Sequence, residues 1–192
     1  MIDKKVNLSR RSWLIRTISA LSTVGMTVWI TPFVKFLAPS AKARGLGAPV
    51  EVDVSTIEEG SMKVVEWRGI PVYIIRRSRS DIASLQKYED ELKDPNSNTD
   101  QQPDYARNRT RSIKPEILVV EGVCTHLGCT PKYRSEKVDG LFTGLFCPCH
   151  GSTFDFAGMV YSNVPAPTNL RVPRHRYIDD DKLIIGSDRL VS

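Results

Sequence analysis

The spacing of apolar and polar positions changes character several times along the chain. From Thr17 to Val34 the sequence TISALSTVGMTVWITPFV carries no charge, and Arg16 and Lys35 stand at its two ends. That length reaches the lower limit for a helix crossing the hydrocarbon core, and basic side chains can snorkel at both edges. Residues 17–37 are therefore expected to be a membrane anchor, diluted by Ser19, Ser22, Thr23, Thr27 and Thr31. The following stretch is small, Gly- and Pro-bearing and without apolar period, so residues 38–49 read as a flexible tether.

Strand-type alternation begins at VEVDV, 50–54, and KVVEWRGIPVYIIRR, 63–77, predicts two strands turned at Arg68-Gly69. The period then lengthens: Ile82, Leu85, Tyr88 and Leu92 recur at helical spacing over 80–94, with Ser80 as the expected cap and Pro95 as the stop. Residues 95–112, PNSNTDQQPDYARNRTRS, are polar and unpatterned and are expected to form an exposed loop. EILVVEGV at 116–123 predicts a buried strand, GLFTGLF at 140–146 another, and RHRYIDDDKLIIG at 174–186 a closing hairpin turned on its aspartates. His175 in that hairpin is expected to be partly exposed. The expected architecture is a mainly antiparallel β domain over residues 50–192 with one short inserted helix, plus an N-terminal transmembrane helix.

Charge sharpens this division. The formal net charge is +5, yet residues 1–48 carry +7 and the remaining 144 residues −2. A nucleic-acid binder would carry its Lys and Arg clustered on the folded domain. That footprint is missing, and no nucleic-acid partner is expected. SRRSWLI at 9–15 places an arginine pair before the apolar run, which resembles a twin-arginine export signal. Residues 1–16 are then expected to be cytoplasmic, with the C-terminal domain on the far side of the membrane. A cleaved signal peptide is the competing reading, since Ala41-Lys42-Ala43 has the small residues of a cleavage site.

All four cysteines and two of the three histidines fall in CTHLGC, 124–129, and CPCHGS, 147–152. Cys124, His126, Cys147 and His150 could bind zinc tetrahedrally. Cys129 and Cys149 remain, inside the same loops, which suits a disulfide in an oxidising setting. Zinc, moreover, needs neither export nor a membrane tether, whereas a redox centre serving a membrane pool would use both.

The two boxes resemble those of the Rieske iron-sulfur proteins. The anchor, tether, inserted helix and VPAP loop are similar to the Rieske subunit of the bacterial cytochrome bc complex. That resemblance implies one 2Fe-2S cluster, with Cys124 and Cys147 on one iron, His126 and His150 on the other, and a disulfide between Cys129 and Cys149. It implies that Ser152 bonds a bridging sulfide, and that Pro165 and Pro167 belong to a loop shielding the cluster. Phe154 stands where high-potential members carry tyrosine, and it has no hydroxyl to donate. Val164 replaces a common glycine. Leu127 is expected to cover the cluster or wedge into the quinol pocket.

The implied function is electron transfer: quinol is oxidised at the cluster, with His150 and then His126 as the candidates for contact with it, and the electron passes to a c-type cytochrome. The implied partners are a cytochrome b subunit, a c-type cytochrome subunit, quinol and the membrane, within a dimeric multisubunit complex at the bacterial inner membrane. The small Rieske subunit of a periplasmic metalloid oxidase and a Rieske ferredoxin or oxygenase component are the alternatives. Those ferredoxin relatives typically lack the box disulfide and the anchor.

Overall fold

The computed structural model describes residues 8–40, 45, 47–134 and 143–187. The possible cleavage site at Ala41-Lys42-Ala43, part of the 38–49 tether and the first three residues of the 140–146 strand lie outside these. The chain divides into two compact units, Met1–Gly45 and Leu46–Ser192.

The first unit contains α1 (Leu8–Leu37), of which Ser9–Leu37 is long and apolar enough to cross a membrane. It begins well before the uncharged stretch and carries Arg10, Arg11 and Arg16 on its first turns. Its hydroxyls do not compete with this role. Thr17, Thr23, Thr27 and Thr31 donate to the carbonyls of Trp13, Ser19, Thr23 and Thr27, at 2.6–2.9 Å. Each hydroxyl is thereby satisfied within the helix, which is what an apolar medium demands.

Among the described residues the second unit has three antiparallel sheets, each of three strands. The strands are β1 (Val50–Asp53), β2 (Met62–Trp67), β3 (Ile70–Arg76), β4 (Ile117–Glu121), β5 (Lys132–Arg134), β6 (Gly144–Phe146), β7 (Thr153–Phe154), β8 (His175–Tyr177) and β9 (Lys182–Ile185). The sheets run β1-β9-β8, β2-β3-β4 and β5-β6-β7. The middle one explains the apolar runs in β3 and β4. Side chains alternate between faces, and here both faces are covered. Val72, Ile74, Ile117 and Val119 pack with Val52, Leu183 and Ile185. Tyr73, Ile75, Leu118 and Val120 pack with Cys124, Leu145, Cys147 and Phe154. The second of these cores lies directly beneath the Cys/His boxes.

The inserted helix, α2 (Arg79–Lys87), is shorter than its periodicity predicts. Its cap is Ser78, not Ser80: Ser78 Oγ accepts from the Asp81 N–H at 3.0 Å, and the Asp81 carboxylate accepts from the Ser78 N–H at 2.8 Å. This reciprocal pair satisfies two otherwise orphaned donors. The helix ends eight residues before Pro95, where the chain finds a tertiary partner. Leu92 bridges to Tyr161, the Lys93 N–H donates to the Val160 carbonyl, and the Ser162 N–H donates to that of Glu91.

The 95–112 segment is not an exposed loop. It is irregular, but Ser97, Gln102, Ala106, Arg111 and Ser112 are buried. Arg111 is wholly enclosed and donates to the carbonyls of Ala157, Gly158 and Leu170 and to Gln102 Oε1. Arg77 likewise donates to the carbonyls of Thr110 and Phe156 and to Ser112 Oγ. Desolvation pulls both guanidiniums down to about 10, so both remain cations at neutral pH. Polarity in the sequence concealed a segment whose side chains replace water for buried backbone carbonyls.

Candidate functional site

Strand β4 delivers the chain to Cys124, and β6 delivers it to Cys147; β7 takes over after Ser152. Both boxes then form the same turn. The Gly128 N–H donates to the Cys124 carbonyl at 2.9 Å, and the Gly151 N–H to the Cys147 carbonyl at 3.0 Å. The Cys124 N–H reaches the Cys129 carbonyl at 2.7 Å, and the Cys147 N–H reaches the Ser152 carbonyl at 2.8 Å. Gly128 and Gly151 have φ of 80° and 76°, a left-handed conformation that a Cβ disfavours. The glycines are thus what allows each loop to reverse within five residues.

Cys129 and Cys149 form a disulfide joining the two turns. Cys124 and Cys147 keep free thiols and are each 2 % exposed. The rings of His126 and His150 face each other edge to face, with centroids 4.7 Å apart. His150 is exposed and His126 half-buried. Cys129, Cys147 and Cys149 bring their sulfurs within 4.8 Å of one another, but the disulfide consumes two of the three. The donors left for a metal centre are therefore the Cys124 and Cys147 thiols and the two imidazoles.

Burial pushes the Cys124 thiol up, opposed by the His126 N–H, the adjacent Cys147 pushes it further up, and Ser152 acts to lower it; the net effect favours the thiol. Ser152 Oγ accepts from the Ala166 N–H at 3.0 Å, while Thr125 Oγ1 donates to the Thr168 carbonyl at 2.7 Å. These two bonds hold the 164–168 loop against both boxes. Pro165 and Pro167 are exposed on either side of the buried Ala166.

Phe154 is fully buried and shares a core with Cys124 and Cys147. Leu127 is 71 % exposed at the tip of the first box. His175 departs from expectation: it is 1 % exposed, its Nδ1 donating to the Pro173 carbonyl at 2.8 Å. The sequence reading missed Tyr73, whose hydroxyl donates to the Pro131 carbonyl at 2.7 Å just after the first box. A lone tyrosine in an apolar strand gives no sign of that contact.

A two-thiol, two-imidazole donor set could hold either zinc or a two-iron cluster. Comparison with known proteins decides. Residues 49–174 match the family model of the Rieske [2Fe-2S] domain. The chain belongs to the Rieske [2Fe-2S] family. As a Rieske protein it takes a [2Fe-2S] cluster as its cofactor, and the donor set fits that cluster.

Two curated Rieske relatives are ubiquinol-cytochrome c reductase iron-sulfur subunits. That of Allochromatium vinosum is 50 % identical over 98 % of this chain and 94 % of its own length. That of Rhodospirillum rubrum is 41 % identical over 93 % of this chain and 92 % of its own. Among solved structures, a hyperthermophilic respiratory complex III chain superposes with a TM-score of 0.51 at 27 % identity, covering 87 % of this chain and 96 % of that one. The fold, with its mostly antiparallel sheets, is thus shared with that solved relative.

Proposed function

We propose that this Rieske protein is the iron-sulfur subunit of a ubiquinol-cytochrome c reductase, carrying electrons from quinol to a c-type cytochrome. The observation that carries this is the 50 % identity to such a subunit over 98 % of the chain, which includes the apolar helix as well as the cluster domain. The chain acts as one part of an oxidoreductase complex and turns over nothing alone.

Cys124 and Cys147 would hold one iron, and His126 and His150 the other. When bound there, the cluster would supply a one-electron acceptor whose potential is raised by neutral imidazoles in place of two thiolates. The rest of the chemistry belongs to the chain. His150 presents its ring to solvent, whereas His126 is half-covered. With His150 on iron, its other ring nitrogen would be the one to accept the proton that a quinol hydroxyl releases as its electron leaves, a reading supported by the greater exposure of His150. Leu127, exposed next to His126 in the first box, would supply an apolar contact for a quinone-sized ring or for a cytochrome b subunit. The disulfide keeps the two histidine-bearing turns from separating during these encounters.

Arg10, Arg11 and Arg16 precede the apolar run of α1, and this bias favours an amino terminus retained inside the cell membrane with the domain outside. A folded, cluster-loaded domain is the kind of cargo that the Arg10-Arg11 pair would direct across the membrane. Residues 38–49 would then be the tether on which the domain moves between quinol and cytochrome.

The test is purification of the full chain from its native membranes. Cytochromes b and c should copurify with it, and dithionite should develop the paramagnetic signal of a mixed-valence two-iron centre. His150→Asn should abolish quinol oxidation. Purification with a molybdenum subunit in place of the cytochromes, or a colourless protein containing zinc, would overturn the proposal.

A further inference from the structure

Lys93 lies between α2 and the 95–112 segment, far in sequence from either box, yet its ammonium is fixed over the 164–167 loop. It donates to the carbonyl of Val164 and to that of Ala166, both at 2.7 Å. Each of these carbonyls immediately precedes a proline, Pro165 or Pro167. The prolines have no N–H, so Ala166 carries the only donor among residues 165–167. That donor goes to Ser152 Oγ at 3.0 Å, and the carbonyl of Ser152 accepts from the Cys147 N–H at 2.8 Å, so the same residue closes the turn of the second box.

The position of Lys93 is not adventitious. Its own N–H donates to the Val160 carbonyl at 3.0 Å, the neighbouring Leu92 is buried and bridges to Tyr161, and the Asn169 amide donates to the Asp94 carbonyl at 3.0 Å. Backbone on both sides of Lys93 is thereby tied to the loop that its side chain grips. No carboxylate lies within 4.0 Å of the ammonium among the described residues. Its hydrogen-bonding capacity is therefore directed at the two carbonyls.

We propose that Lys93 is a positioning residue for the redox centre: by gripping the Val164 and Ala166 carbonyls it holds the Ala166 N–H on Ser152, and so aims the Ser152 hydroxyl at cluster sulfur. This rests on the reading of Cys124 and Ser152 as part of the cluster site. Ser152 Oγ can rotate its single proton among several acceptors. Accepting from a fixed Ala166 N–H occupies one lone pair and leaves the proton to point towards sulfur. A hydrogen bond to a cluster ligand stabilises the more negative, reduced state. Loosening the loop weakens that bond and makes reduction less favourable.

The experiment is a redox titration of the full chain, monitored by the paramagnetic signal of the reduced centre. Lys93→Met should lower the reduced-to-oxidised ratio at a fixed potential about threefold to tenfold, as expected for weakening one hydrogen bond to a charged group. Lys93→Arg, which keeps charge and donors, should restore most of the ratio. In a Ser152→Ala background, Lys93→Met should produce less than half of its original shift, because its route of action is already gone. Half or more of the shift surviving in that background would mean that Lys93 acts through space as a charge, and would overturn the proposal. So would an unshifted Lys93→Met with an intact signal. Should Lys93→Met fail to assemble, Lys93→Gln is held to the same comparison. Absence of the signal in the unsubstituted chain would refute the cluster reading itself, a failure distinct from an intact signal that Lys93 does not influence.

Discussion

His126 and His150 stand edge to face, with ring centroids 4.7 Å apart, although they occupy different places in equivalent turns. His126 is the third residue of its box and His150 the fourth. The two turns make equivalent main-chain hydrogen bonds, and the rings meet despite the offset of one residue. The turns are separate in the chain and are joined covalently only through Cys129 and Cys149.

That bond has a calculable consequence. It closes a loop over a sequence separation of 20 residues, for which chain entropy gives a stabilisation of about 3 kcal/mol. Cys129→Ser should lower the unfolding free energy by about this amount, read from denaturant titration. The paramagnetic signal should also bleach faster on standing, because the two donor pairs are no longer held together.

Phe154 is fully buried in the core that contains Cys124 and Cys147. A phenolic hydroxyl added there gains a sulfur acceptor that phenylalanine cannot use. A hydrogen bond worth ~0.5–1.5 kcal/mol corresponds to roughly 20–65 mV for one electron. Phe154→Tyr should raise the midpoint potential within that range, as measured by redox titration. An unchanged or lower midpoint would show that the hydroxyl finds another partner.

The strands and the boxes were legible in the sequence because local chemistry determines them. Alternating apolar residues mark β3 and β4, Arg68-Gly69 turns the hairpin, and the Gly128 and Gly151 turns need only five residues each. Contacts made at long range were not legible. The cap at Ser78 depends on which of two nearby serines meets Asp81, and the early end of α2 depends on Leu92 finding Tyr161. Above all, the 95–112 segment reads as solvent-exposed by composition, and only its packing shows Arg111 bonded to carbonyls 46–59 residues further along.

Arg111 therefore supports a stronger expectation than a loop arginine would. Arg111→Met removes four donated bonds and leaves the carbonyls of Ala157, Gly158 and Leu170 without this partner. The loss of those bonds outweighs the relief from burying one fewer cation, because each stranded acceptor costs about 1–3 kcal/mol. A net destabilisation of about 3 kcal/mol should appear as a melting temperature lower by roughly 6–12 °C. The Gly158 turn and Leu170 flank the cluster-facing loop, so the second box should lose protection from hydrogen exchange in the same variant.

His175 sets an acid limit on the fold. Its imidazole is buried, its pKa is held below the ordinary 6.5 by desolvation, and the Pro173 carbonyl opposes that shift by accepting from Nδ1. The Tyr105 ring meets it edge-on at 5.5 Å, and the Tyr105 hydroxyl accepts from the His175 N–H at 2.7 Å. Below pH 6.5 the unfolded chain takes up a proton here that the folded chain does not, so the folded state loses ground as pH falls. The contribution is fully present above pH 6.5 and is lost below it, at up to ~1.4 kcal/mol per pH unit. Between pH 7.5 and 5, the unsubstituted chain should therefore lose more stability than His175→Gln, which has nothing to titrate. Denaturant unfolding of both at the two pH values measures the difference. Equal losses would place the acid sensitivity on the carboxylates, since groups such as Asp94 are held low by backbone N–H bonds, against burial, and act identically in both chains.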